Sequence, residues 1–390
     1  MAEKKKNSKQ KPLQSPVAVR PAGEPTGIQI ATARYEEWLS RQTKLQVQDV
    51  VHKHSQMELS PFVLMRATFY RFAEQWRTLA GMLVDAPRVL AVGDLHIENF
   101  GTWRDSEGRL VWGVNDFDEC CYMPFAVDIV RLAASALLAI GESHLSISPE
   151  RACDEILSGY KDALKANGRP FVLAEDHSWL RDIAVTSLKK PSDYWAKMIA
   201  LPPQTSAPPD GAVECMERLM PERGLKYRMV HRVAGEGSLG KPRYTGIASW
   251  HGGFVARDVK ALVPSAWQWA NDHDGPYEIL YSVILGRAVR CQDPIIHSTG
   301  QWVGRRIAPD CSRIELTKIN VENEEANLLS SMGWETANIH LGAPGAGDAI
   351  KRYLKDAKGA WLVETAQKFV TAIHQDWEDW KSRPQTITAA

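Results

Sequence analysis

Asp94, His96, Glu98 and Asn99 crowd into AVGDLHIENFG, residues 91–101, between apolar neighbours and a closing glycine. A carboxylate and a carboxamide spaced like Asp94 and Asn99 on one loop suit phosphoryl transfer. The carboxylate takes the proton of an attacking hydroxyl, and the amide oxygen holds Mg²⁺ beside it. A second acidic run, NDFDE, occupies residues 115–119. There Asp116 precedes Phe117, as in a kinase metal loop, and Asp118 stands where that loop carries glycine. Mg²⁺ uses few carboxylates together with phosphate oxygens and water, so Asn99, Asp116 and Asp118 are a sufficient ligand set. The same side chains also read as a metal-dependent hydrolase centre, with Asp94, His96, Asp116 and Asp118 (Glu98 beside them) around ions that activate water. The plain alternative is loop chemistry, since Asp and Asn satisfy turns through their side chains.

A third fragment lies far downstream. GEGSLG, residues 235–240, sets Gly235, Gly237 and Gly240 in a G-x-G-x-x-G spacing around Ser238. Such glycines let backbone amides approach phosphates. Lys260 follows in the strand-like FVARDVKAL, and a strand lysine at about that separation contacts the α- and β-phosphates of ATP in kinases. The glycines lead into strand-like KPRYTGIASW, which argues against a dinucleotide-binding helix. Asp258 lies two residues before Lys260, on the same strand face, where it either pairs with the lysine or competes with phosphate. In ordinary kinases the glycine loop precedes the catalytic loop, and here it follows. Coincidence or circular permutation accounts for the order, and permutation is physically cheap because chain termini often lie close together.

The elements that must position these groups come next. YEEWLSRQTKLQVQDVVHKHSQM reads as a helix, and SPFVLMRATFYRFAEQWRTLAGMLV as a longer apolar one capped by Ser60 with Pro61 at its first position. Arg66 in the latter either reaches the acidic loops or anchors its own helix. RVLAV (88–92) is a strand stopped by Gly93, and RLVWGV leads as a strand into the second acidic loop. PFAVDIVRLAASALLAIG (124–141) is apolar nearly all round and predicts a buried helix. Its polar residues Asp128, Arg131 and Ser135 share one face, forming a local ion pair or supporting the acidic loops from behind. LPPQTSAPPDG (201–211) is the strongest breaker. Residues 227–264 predict a small antiparallel sheet, 277–292 a helix and RIELTKI (313–319) a strand. His340 and Asp348 read as packing or capping residues.

The expected organisation is a disordered basic tail (1–27), a helical lobe with both acidic loops (28–200), a linker (201–212), a small sheet lobe with the glycine loop and Lys260 (213–320), and C-terminal helices that return to the helical lobe (321–390). This is an α+β, two-lobed, protein-kinase-like fold in circularly permuted order. The charge of the 390 residues balances at 47 basic against 47 acidic, which gives no reason to expect nucleic-acid or membrane binding. No apolar run reaches the ~18 residues of a membrane span. Six scattered cysteines without C-x-x-C spacing read as reduced thiols of a cytoplasmic protein.

SPFVLMRATFYRFA, GDLHIENFG, VNDFDE, FAVDIVRLAASAL, GEGSLG, VKALVPSA and GWETANIHLG together resemble a bacterial family known as domain of unknown function 2252. GDLHIENF also resembles the catalytic loop of aminoglycoside and choline kinases. That resemblance implies a phosphotransferase acting on a small molecule or protein. It makes Asp94 the base, Asn99 and Asp116 Mg²⁺ ligands, and Gly235, Gly237, Gly240 and Lys260 the ATP site. The chain departs from those kinases at Val92, where they carry His, and at Pro242, where they carry Val. A glutamate partner for Lys260 is suggested only by spacing, at Glu278. A non-catalytic nucleotide-binding protein on the same fold is the third reading.

Overall fold

The computed structural model describes residues 26–173, 175, 177–271, 277–313, 322–357 and 359–383. The helix Ala126–Gly141 is the axis of the main core, as its unbroken apolar sequence requires, and even Asp128, Arg131 and Ser135 are fully buried. It starts later than expected. Pro124 ends a short strand, β4 (Cys121–Pro124), which pairs antiparallel with β1 (Arg88–Ala91). Between these strands, β2 (Phe100–Arg104) and β3 (Leu110–Val114) form a hairpin joined by β5 (Phe171–Val172). The two acidic loops therefore leave β1 and β3 on neighbouring paths.

The fold is mixed α+β. A five-stranded antiparallel sheet is built from β6 (Arg228–Val230), β7 (Arg243–Trp250), β8 (Gly253–Ala261), β9 (Ile296–Thr299) and β10 (Trp302–Ile307), in the order β6-β7-β8-β10-β9. On one face Arg243 lies opposite Lys260, and Asp258 lies between Thr245 and Arg305. The other face packs Val259 and Tyr244 against the helix Asp210–Leu219. That helix begins inside the expected linker 201–212.

The C-terminal helices return to the first half of the chain. Glu322–His340 crosses Pro149–Ala166 at two glycines. A Cβ on Gly159 would stand 1.8 Å from the Ser330 carbonyl oxygen, and one on Gly333 would stand 2.0 Å from that of Ile156. Only glycine permits backbones this close. Trp361–Lys381 then lies along the buried helix.

Three expected helices are shorter or broken. The first polar stretch divides into Gly27–Gln42 and Val47–Gln56. The second keeps its Ser60 cap, whose Oγ accepts from Val63 N, but breaks at Thr68 into Pro61–Ala67 and Phe69–Leu79. There the Thr68 hydroxyl donates to the Leu64 carbonyl at 2.7 Å, a local bond that competes with the helix. In 277–292 only Tyr281–Arg287 is helical. Val289 N instead donates to Asn338 O at 3.0 Å, which pulls the backbone away. The expected tail lies outside the described residues except for Thr26 and Gly27, which start the first helix. The strand 313–319 also lies outside them apart from Arg313, which bridges to Gly101. All six cysteines are free. Among the described residues no helix is long and apolar enough to cross a membrane.

Candidate active cleft

The first acidic loop is held from behind by one face of the buried helix. The Asp128 carboxylate accepts from Val92 N at 2.7 Å and Gly93 N at 2.8 Å. Arg131 Nε donates to Asp94 Oδ1 at 3.0 Å, and Ser135 Oγ accepts from Ile97 N at 3.0 Å. The spacing of 128, 131 and 135 thus supports the loop rather than making a local pair. Asp128 is fixed in turn by His340, whose Nε2 lies 2.9 Å from Asp128 Oδ2 and whose Nδ1 lies 2.7 Å from the Tyr160 hydroxyl. His340 is therefore more than a packing residue. Gly93 has φ 84°, and a Cβ there would meet Glu119 O at 2.5 Å, so the strand exit requires glycine.

Asp94 faces a cavity of about 450 Å³. Burial raises its carboxyl pKa, while Arg131 opposes the rise. Asn99 Nδ2 donates to the backbone oxygens of Asp94 (3.0 Å) and Asp116 (3.1 Å), tying the two loops together. Asn99 lines the same cavity, and its Oδ1 is buried without a hydrogen-bond partner among the described residues. An orphaned amide oxygen beside ionised carboxylates is the hard donor set that a Mg²⁺ ion takes.

Asp116 and Asp118 are backed by Lys260 of β8. Lys260 Nζ lies 3.1 Å from Asp116 Oδ1 and 2.6 Å from Asp118 Oδ1, the latter an ion pair without hydrogen-bond geometry. Burial acts to raise the Asp116 carboxyl, but Lys260 and Arg305 more than offset it and hold it far below the usual range. Asp118 moves the other way, through burial and then the neighbouring charge of Asp116. The carboxylates that reach Lys260 thus come from the acidic loop, and Glu278 is exposed away from it. Asp258 neither pairs with the lysine nor points at open cavity: it is bound by Arg243 and Thr245, with Arg232 3.5 Å away.

The glycine loop closes the cavity from the other side. Gly235, Gly237 and Ser238 line it, with a 3-10 turn at Glu236–Ser238. A Cβ on Gly237 would meet Asp94 Oδ2 at 2.9 Å. Ser238 Oγ accepts from Arg243 Nη2 at 2.7 Å. Gly240 does not line the cavity. Its carbonyl accepts from Gln46 N at 2.8 Å, and its Cα faces Val50. Lys260 sits behind the two aspartates rather than in the cavity wall.

His96 and Glu98 are not free for metal. Burial, and then Arg66 and Arg131, keep His96 neutral, and its Nδ1 accepts from Glu98 N at 3.3 Å. Glu98 is gripped by Arg66 at 2.7 Å and Arg313 at 2.8 Å, so Arg66 does reach the acidic loop. Among the described residues no three His, Cys, Asp or Glu side chains come together to hold a metal ion.

Sequence reasoning missed most of the positive wall. Lys241, Arg232, Arg243 and Arg305 line the cavity, and Lys241 Nζ lies 3.5 Å from Glu119 Oε1. Glu119 also joins the two sides, accepting from Ala266 N at 2.6 Å through Oε2 and from Ser265 Oγ at 2.8 Å through its carbonyl. Alternation groups Arg243 with Thr245 on one strand and Asp258 with Lys260 on the next, but bringing the two sets to one face needs the strand register, Arg243 opposite Lys260.

The model of a family described as an uncharacterized protein conserved in bacteria, DUF2252, matches residues 46–190. That stretch contains both acidic loops and the helix that carries them, and it ends before the glycine loop. No curated protein and no solved structure matches the chain.

Proposed function

We propose that the chain, whose residues 46–190 match the model of the DUF2252 family of bacterial proteins, is an ATP- and Mg²⁺-dependent phosphotransferase whose two halves grip one triphosphate. One observation carries this reading: Gly237 lies against Asp94 while Lys260 reaches Asp116 and Asp118, although the glycine and lysine segments are far from both acidic loops in sequence. In protein kinases the glycine loop covers the phosphates and the lysine sits on the third strand. Here the glycine turn joins the first two strands of the five-stranded sheet in chain order, and Lys260 is on the third. That arrangement supports a kinase-like small lobe. The return of Glu322–His340 onto Pro149–Ala166 supports the permuted order.

Asp94 accepts the proton of the acceptor hydroxyl, and Arg131 keeps its carboxylate aimed into the cavity. Asn99 Oδ1 and Asp116 would hold Mg²⁺, with Asp118 beside them. When bound, the ion neutralises charge on the phosphoryl oxygens. Lys260, Lys241 and Arg305 supply fixed positive charge, and Gly235 and Gly237, which carry no side chains of their own, supply backbone donors. The acceptor is a small molecule or a protein segment small enough to enter the cleft, and the free thiols fit a cytoplasmic setting.

The hydrolase reading loses ground because His96 Nδ1 accepts from Glu98 N, Asp116 and Asp118 are paired with Lys260, and Glu98 beside them is committed to two arginines. The test is thermal stability with and without ATP and Mg²⁺, followed by transfer of labelled γ-phosphate. Nucleotide at 100 times its Kd should stabilise the chain by about 2.7 kcal/mol. Asp94→Asn should abolish transfer and keep that stabilisation. Absence of any ATP effect, together with phosphate-ester hydrolysis supported by Mn²⁺ or Zn²⁺ alone, would reverse the assignment.

A further inference from the structure

The face of the five-stranded sheet turned away from the cleft holds a second arrangement that phosphoryl transfer does not use. Arg257 of β8 and Arg306 of β10 stand directly opposite each other in antiparallel register. Like charges in that position repel. Arg257 is only 4% exposed, and its donors go to neutral carbonyls: Nε to Leu219 O at 2.7 Å and Nη1 to Ala256 O at 2.9 Å. Arg306 Nε and Nη2 are buried and have no hydrogen-bond partner among the described residues, and the same is true of Trp250 Nε1.

All three residues line one cavity of about 440 Å³, a size typical of small-molecule sites. Its other walls are mostly apolar, from Leu219, Val255 and Ile295 among others, with the exposed Arg218 beside them. No lining side chain is a carboxylate, amide or hydroxyl. Asp293 lies near but accepts from Ile295 N at 2.9 Å through Oδ1 and makes no ion pair with either arginine among the described residues. A cavity lined by arginines, with no acceptor among its lining side chains, is complementary to an anion, and guanidinium forks bind phosphoryl and carboxylate oxygens in pairs.

We propose that this cavity is a second ligand site that takes a small organic anion, its phosphoryl or carboxylate group between Arg257 and Arg306 and its apolar or planar body against Trp250 and Ile295. The site stands on the cross-strand pair and the open donors, so it does not depend on the cleft being a kinase.

Phenyl phosphate and benzoate, titrated calorimetrically into the full chain, separate the two head groups. At least one probe should bind, with affinity at least tenfold weaker in Arg306→Leu and within twofold of wild type in the cleft variant Lys241→Met. Without ligand, Arg306→Leu should melt higher than the parent chain, because it removes the repulsion and the open donors; a purely structural arginine would give the opposite shift. Should Arg306→Leu fail to fold, Arg257→Gln serves for the same comparison. No binding of either probe, or binding that Lys241→Met abolishes and the arginine variants leave intact, overturns the proposal.

Discussion

Gly237 lies against Asp94 so closely that a Cβ built on the glycine would stand 2.9 Å from Asp94 Oδ2 and 3.2 Å from the Arg66 carbonyl oxygen. Any side chain there must displace either a fixed carboxylate or backbone. Gly237→Ala is therefore expected to weaken ATP–Mg²⁺ binding at least tenfold while lowering the melting temperature without nucleotide by only a few degrees. Scanning fluorimetry against nucleotide concentration checks this, and an unchanged ATP response would remove the glycine turn from the site.

Arg131 is fully buried and pairs with Asp94, and it also donates to Met65 O at 2.8 Å. Removing one member of such a pair leaves the other charge without a partner, at a cost of about 3–5 kcal/mol. Arg131→Met should destabilise by about that amount in urea unfolding, and adding Asp94→Asn should recover part of the loss. Strict additivity of the two changes would contradict the pairing.

Lys260 holds Asp116 ionised, so this carboxylate contributes stability that is present above its unfolded pKa of about 3.9 and is lost as pH falls toward the lower folded value. In Lys260→Met the two aspartates face each other without that cation. The variant should be less stable than wild type at pH 7, with a deficit that shrinks as pH falls toward 4. Millimolar Mg²⁺ should stabilise it more than it stabilises wild type. A variant indifferent to Mg²⁺ would argue against metal binding by these aspartates.

Glu335 is buried beside β3. Its Oε1 accepts from Val114 N at 3.3 Å, and its Oε2 accepts from Asn338 Nδ2 at 2.8 Å. Burial pushes its carboxyl up to about 7, against the opposing charge of Arg290. Here the folded pKa lies above the unfolded one, so this group costs stability as pH rises from about 4.5 toward 7 and no further beyond. Glu335→Gln should match wild type near pH 4 and exceed it at pH 8 by on the order of 3 kcal/mol. Denaturation at the two pH values checks this, and a constant difference between the proteins would rule out titration of Glu335.

Local pattern made the buried helix, both strand exits and the small sheet legible, because period-3.6 and period-2 signals survive in a single sequence. What escaped was anything set by a distant partner. The face of Asp128, Arg131 and Ser135 was readable, but its role needed the three hydrogen bonds into the first acidic loop. Glu278 was the natural search result for a lysine partner along a following helix. The actual partners, Asp116 and Asp118, precede Lys260 by more than a third of the chain. Likewise the chain breaks at Thr68 a helix that its apolar periodicity carried straight through.

The contact between His340 and Asp128 has a consequence for how the protein matures. A ribosome delivers the acidic loop, the hairpin and the buried helix long before residue 340 exists. Until then Asp128, which sets the Val92 and Gly93 amides, lacks the imidazole that orients it. The contact that fixes Asp128 therefore forms only after residue 340 has been synthesised and has docked. The nascent first half carries every acidic residue that lines the cleft, without the histidine that holds Asp128.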